Sequence, residues 1–127
     1  MSKIESYEDL MVWQKAHQLV LNIYEITKTF PANEQFGLTI QLRRCIVSVP
    51  ANISEGSNRY HLKEFIQFLN VAKGSIGESE YYLRLSKDLG YISEDDFMKL
   101  YKQCNEIGKM LTGLLKSLRK CKSEKYE

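Results

Sequence analysis

At 127 residues, with 43% apolar and 27% charged side chains, the chain has the size and composition of one globular domain with a real core. Seven glycines and two prolines are too few for the many turns of an all-β fold, so a few long helices are favoured. A formal net charge of +2 is too mild to dictate a nucleic-acid partner.

Cys45, Cys104 and Cys121 form no pair at metal-ligand spacing, and their number is odd, which suits a reduced, cytoplasmic chain without cofactors. The first residues, Met-Ser-Lys-Ile-Glu-Ser-Tyr-Glu-Asp, lack the apolar stretch of a signal peptide, and no uncharged run reaches membrane-spanning length.

The spacing predicts a first helix over residues 7–30, with Ser6 as cap and Asp9 three residues on. Trp13, Ala16, Val20, Ile23, Thr27 and Phe30 step by three and four, forming one apolar stripe. Pro31 stops it. A second helix is expected over 33–56, with Leu38, Leu42, Cys45, Val49 and Asn52 on its seam. Its stripe resumes in phase after Pro50, which predicts one kinked helix rather than two. Gly56 supplies a stop.

The third helix is expected over 62–89, on the stripe Leu62, Phe65, Leu69, Ala72, Ile76, Ser79, Leu83 and Ser86, closed by Gly90. The fourth follows over 94–118, capped by Ser93 with Asp96 at the capping-box position, and 119–127 reads as a frayed basic tail. Its stripe is Phe97, Leu100, Cys104, Ile107, Leu111, Leu114 and Leu118. Short connections between long helices require antiparallel neighbours. The expected fold is therefore a single all-α domain, an up-down-up-down four-helix bundle.

Helix three carries a second stripe, Phe68, Val71, Ser75, Tyr82, Leu85 and Leu89, and helix two a smaller one, Ile40 and Val47. One reading is a wide core face. The favoured one is a surface for self-association, with a different protein partner on the same face as the alternative.

Nothing in the chain resembles a nucleophile with its base, a phosphate loop or the Glu-x-x-His of di-metal bundles, so neither a catalytic nor a metal site is assigned and no enzyme is expected. His17 and His61 read as surface residues. Asn52 and Glu55 are assigned to structure, Asn52 to register and Glu55 to an arginine pair. Glu78, within the second apolar stripe, is expected to pair with Arg43, Arg44, Arg59 or Arg84. Gly74, Ser75 and Gly77 are read as a site of close helix approach.

Two basic groupings remain. Arg43 and Arg44 lie in helix two with Arg59 and Lys63 after it, and Lys116, Arg119, Lys120 and Lys122 lie towards the C-terminus. One copy offers a thin footprint for RNA or DNA phosphates, which a ring of identical copies would multiply. Solvated charges and internal salt bridges are the plainer reading of the same residues.

Several segments resemble the four-helix-bundle proteins encoded in intervening sequences of 23S ribosomal RNA genes. They are Tyr7-Glu-Asp-Leu-Met-Val-Trp-Gln-Lys-Ala16, Phe30-Pro31, Gly37-Leu-Thr-Ile-Gln-Leu-Arg-Arg44, Ser48-Val-Pro-Ala-Asn-Ile-Ser-Glu-Gly56, Lys63-Glu-Phe65, Ala72-Lys-Gly-Ser75 and the run from Glu78 to Leu83. Cys45 stands where the family usually has alanine, and His61 where it has a small cap residue, which would weaken the start of helix three. The resemblance implies a homopentamer. It also implies kinship with the accessory variability protein of diversity-generating retroelements, a basic pentameric barrel that binds nucleic acid and a reverse transcriptase.

Overall fold

Three-four spacing of apolar residues produces four helices, α1 (Met11–Thr27), α2 (Leu38–Ser57), α3 (Leu62–Asp88) and α4 (Glu94–Tyr126). The computed structural model describes residues 7–126, with the side chains of Asp9 and of 122–126 outside that description. Among the described residues there is no strand. Each helix packs against its two neighbours in a closed circuit, α2 with α3 most extensively and α1 with α4 least. This is the antiparallel four-helix bundle that the short connections require.

The interior is aliphatic. Leu19, Ile23, Leu42, Ile46, Ile53, Leu69, Leu83, Ile107 and Leu111 are fully buried, each stabilising the fold by roughly 1.5–3 kcal/mol relative to exposure. On α1 the buried stripe is Val12, Ala16, Leu19 and Ile23, which leaves Trp13 and Val20 half-buried at its edge.

The helix ends differ from the sequence expectation for local reasons. Helix α1 begins after a single 3₁₀ turn at Tyr7–Asp9, its N-cap is Leu10 without a side-chain cap, and the Ser6 cap lies outside the described residues. It ends at Thr27, because the amides of Lys28, Thr29 and Phe30 bond carbonyls three residues back. Phe30 is buried nonetheless and packs on Tyr91.

Residues 32–34 form a separate 3₁₀ turn, so α2 starts at Leu38 and not near Asn33. The Glu34 carboxylate accepts the Leu38 amide at 3.3 Å. α2 runs unbroken through Pro50 to Ser57. Gly56 therefore does not end it; a Cβ there would lie 2.7 Å from Phe68 Cβ and 2.9 Å from Phe65 Cδ1, so glycine is required for α3 to approach.

The end of α3 is a Schellman closure. Gly90 takes a φ of 81°, its amide bonds Lys87 O, and the Tyr91 amide bonds Ser86 O. Ser93 Oγ accepts the Asp96 amide at 3.1 Å, capping α4. α4 continues past Leu118 to Tyr126, since its final turns hold neither glycine nor proline.

Candidate nucleic-acid interface

The antiparallel arrangement separates the two halves of the expected basic set. Arg43 and Arg44 belong to the half of the bundle where α1 ends and α2 begins. Arg59, Lys63, Lys116, Arg119 and Lys120 belong to the other, where α2 and α4 end and α3 begins. Fifteen residues separate Arg44 from Arg59, roughly 22 Å at the helical rise.

Arg43 has an internal structural role. Its Nε donates to Thr27 Oγ1 at 2.8 Å, its Nη2 to Tyr24 O at 3.4 Å, and its guanidinium lies 4.6 Å from the Tyr24 ring centroid. It thereby closes the C-terminal turn of α1, where free carbonyls favour a cation. Arg44 is exposed, with no ion-pair partner among the described residues.

At the opposite end the cations are less committed. Arg59 pairs with Glu55 at 2.6 Å, sits 4.0 Å from Glu64, and covers the Phe68 ring at 4.9 Å. These pairs are exposed and weak, so exchanging them for a phosphate costs little. Arg119 donates to Asn70 Oδ1 at 3.3 Å, which ties the end of α4 to the start of α3. Lys63 is two turns from Asn70 on the same face of α3. Lys116 and Lys120 are one turn apart on α4, flanking Arg119. Lys63, Lys116 and Lys120 are exposed and make no ion pair among the described residues. Lys116 lies ten residues before Tyr126, too far from the helix terminus for the dipole to explain it. The Lys122 side chain lies outside the described residues.

The same side carries two cations that the sequence reading passed over. Lys73 and Lys109 border a shallow groove of about 370 Å³ between α3 and α4, floored by Ile76, Gly77 and Gly108. Their signal was available as a seven-residue step, since Lys109 and Lys116 share a face of α4. Glu80 also lines the groove, and burial holds its carboxyl above the ordinary carboxylate range. Gly74 and Gly77 face open space, with nothing within 4 Å of an added Cβ. Within this chain the close helix approach is made at Gly56 and not at these two.

The α2–α3 wall holds a polar ladder. Asn52 Nδ2 donates to Ser48 O at 2.7 Å and to Ser48 Oγ at 2.8 Å, and the Ser48 and Ser75 hydroxyls share a bond of 2.9 Å. The Cys45 thiol donates to Ser75 O and to Glu78 Oε2, each at 3.1 Å. Both Asn52 bonds stay within α2, and the link to α3 is made by the Ser48 hydroxyl. None of the four arginines pairs with Glu78; the residue is exposed, so water solvates its charge. Glu55 does meet its arginine, Arg59. Burial above all, aided by Glu78 and partly opposed by the Ser79 hydroxyl, pushes the Cys45 thiol up to about 11. Burial likewise pushes Cys104 up to about 12. Both are protonated near neutral pH, and neither has thiolate reactivity there.

The second apolar stripe of α3 divides. Phe68, Ser75, Tyr82 and Leu85 are half-buried, Phe68 beneath Gly56 and Ser75 against Ser48. Val71 and Leu89 stay exposed, at 52% and 49%. On α2, Ile40 is half-buried and Val47 lies in a groove facing α1 with Trp13, His17 and Pro50.

Among the described residues no helix is long and apolar enough to cross a membrane, and no group of three or more His, Cys, Asp or Glu side chains converges as a metal site. The fold is an all-helical bundle, with Arg59, Lys63, Lys116, Arg119 and Lys120 giving it a cation-rich end where α2 and α4 end. The chain belongs to the 23S rRNA-intervening sequence protein family, whose model matches residues 8–113. It is similar to the crystal structure of a protein of unknown function from the S23 ribosomal protein family of Bacteroides thetaiotaomicron VPI-5482. The two are 27% identical, with a TM-score of 0.78, over 84% of this chain and 99% of the other. No curated protein matches the chain.

Proposed function

We propose that this protein is a non-enzymatic, self-associating helical bundle of the reduced cytoplasm that binds RNA or DNA phosphates through its cation-rich end. The observation that carries the reading is that Lys63, Lys116 and Lys120, exposed and without an ion pair among the described residues, lie in the same half of the bundle as Arg59 and Arg119. One copy gives a small footprint, and cyclic symmetry would repeat it around a rim. A pentamer, and kinship with the accessory variability protein of diversity-generating retroelements, are the forms of this reading that the family resemblance favours. Exposed Val71, Leu89 and Val47 supply apolar surface for contact between copies.

A second reading, a scaffold for a protein partner without nucleic acid, draws on the same exposed apolar residues of α3. Fluorescence anisotropy with a labelled oligonucleotide across a salt series separates the two. The proposal expects log affinity to fall linearly with log salt. Lys63→Glu/Lys120→Glu should flatten that slope by about 0.7 for each single-strand phosphate left without its cation. Binding that is undetectable or indifferent to salt rejects the nucleic-acid role and leaves the scaffold. Light scattering on the same samples tests self-association, which a single-chain mass at high concentration rejects.

A further inference from the structure

Resting on the proposed phosphate-binding end, we infer that the strand bound there is single, and that Tyr60 stacks on one of its unpaired bases. Tyr60 is 94% exposed, in the short connection between α2 and α3. A lone exposed aromatic is ordinary on a protein surface; the setting of this one is not. Arg59 precedes it in the chain and Lys63 follows three residues later, so the ring projects from the cation-rich end.

The backbone on both sides is fixed. The Arg59 amide bonds Gly56 O at 3.1 Å, and the Glu64 amide bonds His61 O at 3.1 Å. The His61 ring meets Tyr60 edge-on, with centroids 5.1 Å apart and planes at 89°. With the backbone bonded on both sides, binding has to order the Tyr60 side chain and not the connection that carries it. Bases in a duplex are stacked on one another and offer no face to a projecting ring, so the partner must present unpaired bases. Aromatic stacking with cationic contacts to the backbone is how proteins hold single strands without reading their sequence.

The opposite end provides an internal control. Phe36 is 88% exposed in the α1–α2 connection, but Glu34 is its charged neighbour and no cation flanks it within three residues. An exposed ring without cations should have no affinity for a polyanion.

The test uses the full chain, with labelled oligo(U) and oligo(dT) of about 20 nucleotides, longer than common single-strand sites, and a duplex of equal length. Tyr60→Ala should weaken binding to the single strands by about 5- to 150-fold. It should leave the salt slope unchanged, because every cation that meets a phosphate is still present. Tyr60→Phe should keep the affinity and Phe36→Ala should leave it unaltered. The ribose and deoxyribose strands report whether the sugar contributes; stacking at Tyr60 requires the same weakening on both.

Full single-strand affinity in Tyr60→Ala overturns the inference, as does duplex binding as tight as single-strand binding by the unaltered protein. If Lys63→Glu/Lys120→Glu abolishes binding while Tyr60→Ala does not weaken it, the phosphate site stands and the stacking role falls. Failure of the unaltered protein to bind any strand removes both.

Discussion

The two ends of the bundle are closed by different chemistry. Where α1 ends and α2 begins, polar groups are used internally. Arg43 holds the last turn of α1, Glu34 accepts both the Leu38 amide and the Tyr91 hydroxyl, and Lys87 lies between Asp88 and Glu94. At the other end, order comes from close packing. Gly56 admits Phe65 and Phe68, α3 starts at His61 without a side-chain cap, and Lys63 and Tyr60 are exposed to solvent. Side chains bonded into the fold are not free to bind a ligand: Arg43 is so bonded, whereas Arg44 at the same end and Lys63 at the other are exposed.

The comparison predicts which substitutions should matter. Arg43→Ala should destabilise the fold by about 1.5–3 kcal/mol, since it removes charged hydrogen bonds to the buried Thr27 hydroxyl and to the Tyr24 carbonyl. Lys63→Ala should stay within about 0.5 kcal/mol. Equal effects in urea denaturation would erase the distinction between the ends.

Gly56→Ala should cost about 1–3 kcal/mol through overpacking against Phe68 Cβ, which is fixed to its backbone. Gly77→Ala, in open space mid-helix, should instead stabilise by roughly 0.5–1 kcal/mol. Thermal unfolding of the pair would show whether packing beneath Gly56 orders the cation-rich end. A gain of similar size is expected from His61→Ser. The backbone at 61 is already extended, with φ −95° and ψ 131°, so a serine cap should add about 0.5–1 kcal/mol. No gain in melting temperature would mean that the start of α3 needs no cap.

How far the chain could be read beforehand varied by residue. Leu69, Ala72, Ile76 and Leu83 were legible because burial follows helical period directly. So were the Gly90 closure and the Ser93 cap, both set by residues adjacent in sequence. On α1 the stripe was legible at Ala16, Ile23, Thr27 and Phe30 and off by one residue at Trp13 and Val20, because Val12 and Leu19 beside them are apolar too and only packing against the neighbouring helices selects between them. Of the basic set, periodicity could show which cations share a face of one helix. It could not show that Arg43 reaches Thr27 while Lys63 stays in solvent, because those outcomes depend on a second helix.

The sequence by itself determined four helices and their antiparallel order, since apolar period and short connections leave no other way to bury the stripes. Only the tertiary structure decided what the glycines, arginines and exposed rings do. Gly56 and Gly77 are chemically identical and both helical, yet one lies against Phe68 and the other faces open space. A side chain's role depends on what stands opposite it, and helix-to-helix distance and rotation, not local spacing, set that.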